Sequence, residues 1–330
     1  MEYVLLRDTA IRCSRIALGT WSMGGLLWGG SEDEASLRTI RAALEAGINT
    51  IDTAPIYGSG RSEELVGRAV SDYGRRDELV IATKVGLDWS GPSVRRDSSR
   101  ARIRQEIQDS LRRLRSEYID IYQVHWPDTS TPFEDTADEL HRLLKEGKIR
   151  AIGVSNFSPE QMDAFRRGAP LHTSQPPYNL FEREVERDVV PYCREQGITV
   201  LAYGPLCRGL LSGRMRADTR FEGDDMRKID PKFQPPRYQQ YLEAVARLDR
   251  FAQKRFSKRV LHLAVRWLLD QPGVGVVLWG ARRPEQLAGV KDCLGWSLDE
   301  AAMTEIDNII EETVKDPVGP EFMAPPASAA

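Results

Sequence analysis

Eight short runs that read as strands recur along this chain, and the longer stretches between them carry a helical hydrophobic period. The runs are 15–18, 50–51, 79–83, 119–124, 151–154, 173–175, 199–202 and 274–278, most of them apolar on consecutive residues as in strands buried on both faces. Between them, Ile103, Ile107, Leu111 and Leu114 fall on one face, with Ser98 or Ser99 placed to cap the helix start. Ala137, Leu140, Leu143 and Leu144 repeat the pattern up to Gly147, and Ala35, Leu37, Ile40 and Leu44 up to Gly47. Strands alternating with helices predict an α/β protein with a parallel sheet.

Two architectures compete for that pattern. A dinucleotide-binding doubly wound sheet opens with Gly-x-Gly-x-x-Gly after its first strand. Here the first strand runs into Leu18-Gly19-Thr20-Trp21-Ser22-Met23-Gly24-Gly25, which does not fit. Gly58-Ser59-Gly60 follows the second strand, but Glu63 stands where the third glycine belongs, so it reads as a turn. No Pro/Gly/Ser linker divides the chain. Eight βα units in one unbroken series predict a single (β/α)8 TIM barrel over residues 1–330, with residues 1–14 as an N-terminal hairpin. Residues 209–237, after strand seven, are rich in Arg, Asp and Pro and hold no period; a loop this long reads as a lid. Residues 314–330 form a proline-rich tail that either drapes over the barrel or frays.

Composition excludes several classes of function. A formal net charge of −3 and a pI near 6.0 leave no bulk cationic surface for nucleic acid or an anionic membrane. No apolar run approaches the roughly 18 residues of a membrane span, and Met1 to Asp8 lacks a signal-peptide core. Cys13, Cys193, Cys207 and Cys293 are far apart, and no Cys-x-x-Cys or His-Glu-x-x-His occurs. Neither a disulfide framework nor a metal site is expected, and a reducing, cytoplasmic location fits.

The chemistry shows in the residues that close the strands, because such barrels gather their sites at the strand C-termini. Asp52 closes the second strand, with Tyr57 in the loop beyond; Lys84 closes the third and His125 the fourth. Ser155-Asn156 closes the fifth, Gln175 lies on the sixth, Tyr203-Gly204-Pro205 closes the seventh and Gly280-Ala281-Arg282-Arg283 the eighth. Singly, each has an ordinary explanation: a turn cap, a loop packing residue, a core histidine. Lys84 is the hardest to explain so, since a lysine is rarely buried without a partner. Together, Asp, Tyr, Lys and His form a proton-transfer set. A free phenol, with a pKa of about 10, is a poor acid near neutrality. A neighbouring ammonium lowers that value, a carboxylate holds the ammonium, and a neutral imidazole orients a carbonyl. The set suits protonation of an alkoxide as hydride arrives from a cofactor. A lyase using Lys84 as a Schiff base is the competing chemistry.

Asp52-Thr53-Ala54-Pro55-Ile56-Tyr57-Gly58, Ala82-Thr83-Lys84 and Gln123-Val124-His125-Trp126-Pro127 resemble the signature of the aldo-keto reductases. Gly153-Val154-Ser155-Asn156-Phe157, Gln175-Pro176-Pro177-Tyr178-Asn179, Leu201-Ala202-Tyr203 and Trp279-Gly280-Ala281-Arg282 continue it in order, over about residues 10 to 312. Arg208-Gly209-Leu210-Leu211, Asp230-Pro231-Lys232-Phe233-Gln234 and Phe322-Met323-Ala324-Pro325-Pro326 resemble the bacterial branch of L-glyceraldehyde and glycerol reductases of the Gluconobacter type. The resemblance implies NADPH held without a Rossmann domain, and Tyr57 as general acid supported by Asp52, Lys84 and His125. It implies Ser155, Asn156 and Gln175 on the carboxamide, Tyr203 stacked on the nicotinamide, and Gly204, Pro205, Leu206 and Arg208 along the pyrophosphate. Gly280, Arg282 and Gln286 would meet the adenosine half, with Arg282 on the 2′-phosphate, and Gly19, Thr20 and Trp21 complete the cofactor set. Trp21, Trp28, Ile56, Trp89 and Trp126 would wall a pocket for a small carbonyl or polyol. The expected protein is a cytoplasmic, monomeric reductase of small aldehydes and ketones, the alternative being an NADPH-binding redox-sensing subunit with slow turnover. Gly204, Trp279 and Val290 depart from the residues usual in the family, which are Ser, Pro and Asn.

Overall fold

The computed structural model describes residues 1–91 and 93–326. Eight parallel strands close into a barrel: β1 Ile16–Gly19, β2 Thr50–Asp52, β3 Val80–Val85, β4 Ile119–Val124, β5 Ile149–Ser155, β6 Thr173–Gln175, β7 Thr199–Tyr203 and β8 Val274–Gly280. They pair in chain order, and β8 returns to β1 with Gly280 beside Gly19. Several extend past the apolar runs at their C-terminal ends. There Asp52, Lys84, Ser155, Tyr203 and Gly280 keep the ladder although their side chains are polar or absent. The register sets Gly19 beside Asp52, Lys84 beside Gln123 and Gln175 beside Ser155, so the polar closing residues rise around one rim.

The surrounding helices are α1 Asp33–Glu45, α2 Arg61–Tyr73, α3 Arg100–Leu114, α4 Phe133–Lys145, α5 Pro159–Arg166, α6 Val189–Gln196, α7 Arg237–Phe256, α8 Val260–Leu269 and α9 Glu300–Thr313. Ser99, not Ser98, caps α3, its Oγ accepting from Arg102 N at 3.3 Å. Just past α1 and α4, Gly47 (φ 88°) and Gly147 (φ 72°) turn the chain through the left-handed region that stops a helix without Cβ strain.

Strand alternation splits the core in two. Leu18, Ile51, Ile81, Ile152 and Val200 pack outward against the helices. Ala17, Ala82, Ala151 and Leu201 form an inner set that includes Leu6, Ile11 and Cys13. Those three belong to the N-terminal hairpin, whose strands Tyr3–Leu5 and Arg12–Ser14 pair antiparallel and plug the barrel at the end away from the strand C-termini. The 209–237 segment folds into short turns at Cys207–Ser212, Met226–Lys228 and Pro231–Phe233 before α7 begins.

As far as Pro326 the tail drapes over the barrel. Lys315 N donates to Gln240 Oε1 (2.9 Å), Val318 N to Tyr241 Oη (3.3 Å) and Lys232 Nζ to Gly319 O (3.0 Å), and Arg96 Nη2 holds Pro325 O (2.8 Å). The last part of the 314–330 tail, residues 327–330, lies outside the described residues.

Candidate active site

Lys84 and Asp52 are 1% and 3% exposed at the C-terminal end of the barrel. Lys84 Nζ donates to Asp52 Oδ1 at 2.6 Å, to Thr53 O at 2.9 Å and to Tyr57 Oη at 3.2 Å, which uses the three ammonium hydrogens. Burial alone would pull this ammonium down; Asp52 and the Tyr57 oxygen outweigh it and hold the group above its usual pKa. The phenol departs from the sequence expectation. Desolvation raises the Tyr57 pKa by more than the Lys84 ammonium lowers it, and Asp52 adds to the rise, so Tyr57 stays protonated. Burial, helped by the Lys84 charge, holds His125 well below the ordinary histidine value, so its imidazole is neutral. Its ring meets Tyr57 edge-on (5.9 Å, 80°), while Trp21 stacks on the other side of Tyr57 (6.0 Å, 25°).

A second tier of polar groups holds the first. Gln175 Nε2 donates to Asp52 Oδ2 at 2.9 Å, and Ser155 Oγ to Gln175 O at 2.7 Å. Asn156, at φ 63°, turns its amide back to His125 O (3.0 Å) and Ser155 Oγ (3.1 Å), and its Oδ1 accepts from Tyr203 Oη at 3.0 Å. Gln123, absent from the sequence expectation, also donates to Asp52 Oδ2, at 3.4 Å. Its signal was an amide inside a buried strand, two residues before His125.

From this cluster a cavity of about 840 Å³ runs to the turn after β8, within the range of small-molecule and cofactor sites. Asp52, Tyr57 and His125 lie on it, and Lys84 sits behind Asp52 and Tyr57. Every residue expected at the cofactor lines it: Gly19, Thr20, Trp21, Ser155, Asn156, Gln175, Tyr203, Gly204, Pro205, Leu206, Arg208, Gly280, Arg282 and Gln286. Trp28, Ile56 and Trp126 line it too. Gly204 has φ 69°, a left-handed conformation that glycine adopts without Cβ strain.

Two expectations need correction. Trp89 is not on the cavity wall. Asp88 Oδ1 accepts from Ser90 N (3.0 Å) and turns the chain out of the short ribbon Leu87–Asp88 with Arg95–Arg96, leaving Trp89 under the Arg102 guanidinium at 5.2 Å. Leu87 and Val94 take its place. Arg208 does border the cavity, but its guanidinium is committed elsewhere. It pairs with Glu182 Oε1 at 2.6 Å and Asp230 Oδ2 at 2.5 Å, as a buried guanidinium must. The backbone here closes on itself: Cys207, Arg208 and Gly209 are all at positive φ, with Cys207 N donating to Gly204 O (2.8 Å) and Gly209 N to Leu206 O (2.9 Å).

The far end of the cavity is cationic. Arg214, Arg220, Arg227 and Arg282 line it. Burial, then the Arg227 and Arg283 charges, hold the Arg282 guanidinium below its usual pKa, which suits a site for an anion. Arg282 Nη1 donates to Trp28 O (2.8 Å) and Gly30 O (3.0 Å), leaving Nε and Nη2 without a hydrogen bond among the described residues. Gln286 Oε1 accepts from Arg282 N (2.9 Å) and Arg283 N (3.0 Å), so this turn is preset. The 209–237 segment crosses the cavity here: Asp224 accepts from Leu27 N (2.7 Å) and Gly29 N (3.0 Å), and Met226 N donates to Leu27 O (3.0 Å). A proton-transfer end whose only charges, Asp52 and Lys84, are paired with each other, and guanidinium groups at the other end, fit a long anionic molecule such as a nicotinamide dinucleotide. Among the described residues no helix is long and apolar enough to cross a membrane.

Residues 15–311 match the aldo/keto reductase family. Aldo-keto reductase YhdN of Bacillus subtilis (strain 168) is 57% identical over 326 residues, 99% of this chain and 98% of that protein. The structure of the glycerol dehydrogenase AKR11B4 from Gluconobacter oxydans superposes with a TM-score of 0.88 at 52% identity, over 98% of this chain and 99% of that one. The NADH-specific methylglyoxal reductase of Escherichia coli (strain K12) is 34% identical, over 94% of this chain and 99% of its own length. A shared barrel alone says little about chemistry. Sequence identity at more than half of all positions over nearly the whole length of both chains says much more: the chain belongs to the aldo/keto reductase family of oxidoreductases.

Proposed function

We propose that this protein reduces small aldehydes and ketones to alcohols with NADPH in the cytoplasm, and oxidises polyols in the reverse direction, with Tyr57 as general acid and base. The observation that carries this reading is the hydrogen-bonded Asp52–Lys84–Tyr57 set beside a neutral His125 at one end of the cavity. Bound NADPH would supply the hydride. His125 donates its single N–H to the substrate carbonyl and orients it. Tyr57 Oη gives its proton to the oxygen as negative charge develops there, and Lys84 compensates the charge left on the phenol. Trp21, Trp28, Ile56 and Trp126 exclude water from the reacting atoms. Tyr203, Ser155, Asn156 and Gln175 would hold the nicotinamide end, and the backbone from Gly204 to Leu206 the phosphates. The 209–237 segment covers the bound dinucleotide. All four cysteines are free and buried, in keeping with a reducing compartment.

Cofactor absorbance followed with a panel of small aldehydes, ketones and polyols tests the reaction. Steady turnover is expected, which also separates an enzyme from a redox-sensing subunit, and no turnover with any carbonyl sinks the proposal. The choice of NADPH rests on Arg282. A charge-assisted hydrogen bond is worth roughly 1.5–3 kcal/mol, so Arg282→Ala is expected to weaken NADPH binding about tenfold to a hundredfold. NADH is expected to suffer much less, losing only what the loosened Trp28–Gly30 loop contributed. Fluorescence titration of both cofactors reads the difference; equal losses would make Arg282 a loop anchor and nothing more.

A further inference from the structure

Asp52 is buried, and Lys84 engages only its Oδ1. Its Oδ2 takes two amides instead, Gln175 Nε2 at 2.9 Å and Gln123 Nε2 at 3.4 Å. Gln175 Nε2 also donates to Gln123 Oε1 at 3.3 Å, closing a triangle. Neither amide can flip within it. Turning Gln175 would set its oxygen against the carboxylate and the Gln123 oxygen; turning Gln123 would set its oxygen against Asp52. With its Nε2 so used, Gln175 keeps Oε1 as the end that turns toward the cavity, where the cofactor carboxamide would lie.

Gln123 is fully buried in the middle of β4, paired in register with Lys84 on β3 and Gly153 on β5. A Cβ on Gly153 would come within 2.7 Å of Gln123 Cγ, so the neighbouring strand leaves room for this side chain. A buried amide needs hydrogen-bond partners, and the partners here are Asp52 and Gln175. We propose that Gln123 is a positioning residue for the carbonyl reduction: it fixes the Asp52 carboxylate and the Gln175 amide, and so holds Lys84 against Tyr57. The proposal rests on the reading of Tyr57 as proton donor.

Its consequence is electrostatic. A donor on Oδ2 draws charge away from Lys84 and Tyr57. Without it the carboxylate field at the phenol strengthens and the phenolate needed for alcohol oxidation becomes harder to form. The test is single-turnover hydride transfer in both directions, from mildly acid to strongly alkaline pH, with binding of NADPH and substrate measured beside it. Gln123→Leu is expected to slow alcohol oxidation about tenfold and to move its alkaline limb up by about one pH unit, since one unit of pKa is tenfold in the ionised fraction. Both binding constants should stay within about threefold of the starting protein. Gln123→Glu sets a second carboxyl beside Asp52, and two such groups cannot both ionise freely, so one keeps its proton to higher pH. While protonated, the introduced carboxylic acid donates to Oδ2 as the amide did. This variant should therefore match the parent at low pH and lose activity as pH rises through a titration that the parent lacks. It also carries the test should Gln123→Leu fail to fold. Parent-like pH limbs in the folded Gln123 variants, with only stability or binding altered, overturn the proposal and leave Gln123 a packing residue. Full activity in Tyr57→Phe overturns the proton-donor reading, and this proposal with it.

Discussion

Tyr57→Phe is expected to lose carbonyl reduction by about a hundredfold or more in kcat, the usual size of a general-acid contribution, while binding the cofactor almost as before. The substitution removes one oxygen. The ring remains between Trp21 and His125, so the wall of the cavity is kept. Lys84 keeps Asp52 and the Thr53 carbonyl as partners and loses only its longest hydrogen bond. Turnover with a small aldehyde beside a fluorescence titration of NADPH separates the two effects, and near-normal turnover would remove Tyr57 from the mechanism. The pH dependence has a definite sign. Because desolvation holds the phenol above its usual pKa, the acid form prevails through neutrality, and reduction should be flat there and fall only in strong alkali. Oxidation needs the phenolate and should rise over the same alkaline range. His125 is held well below the ordinary value, so neither direction should show a step near pH 6.5 from its charging.

Glu182→Ala is expected to cost about 3–5 kcal/mol of stability, the range for breaking a buried ion pair from one side. Glu182 Oε1 accepts from Arg208 Nη2 at 2.6 Å and Lys232 Nζ at 2.9 Å, and all three side chains are almost wholly buried. Desolvation would raise the Glu182 carboxyl, but Arg208 and Lys232 outweigh it and keep the group ionised. Without Glu182, Arg208 would keep Asp230, while the buried Lys232 ammonium would keep only the Gly319 carbonyl and, among the described residues, no carboxylate. Urea unfolding followed by tryptophan fluorescence measures the loss. A loss below about 1 kcal/mol would mean that the cluster behaves as a hydrated surface pair.

Why some of this was legible from sequence and some not follows from the range of the interactions. The strands showed because each is a short run defined by its own residues, and the barrel followed from counting them. The strand ends blurred where function begins: Asp52, Lys84 and Tyr203 belong to their strands by backbone pairing, which hydropathy does not see. The rim was legible for the same reason, since the residue that breaks an apolar run at its C-terminal end points to the mouth. What escaped depends on partners far along the chain. Arg208 resembles a phosphate ligand until Glu182 and Asp230 are seen to enclose it. Gln123 means nothing until Asp52, on a strand not adjacent to its own, turns Oδ2 toward it. The tail could not be assigned from its prolines, because Gln240, Tyr241, Lys232 and Arg96 hold it from elsewhere.

The crossing of residues 224–226 over the loop after β1 has a kinetic meaning. Three hydrogen bonds form the latch: two to the Asp224 carboxylate and one from Met226 N to Leu27 O. At a net 0.5–1.5 kcal/mol each, undoing all three costs about 1.5–4.5 kcal/mol, so the open form makes up between roughly one part in ten and one part in two thousand. A bridge so lightly fastened parts on thermal motion alone. A dinucleotide enclosed beneath it would then leave sideways through the parted bridge, with no need to be drawn lengthwise along the channel.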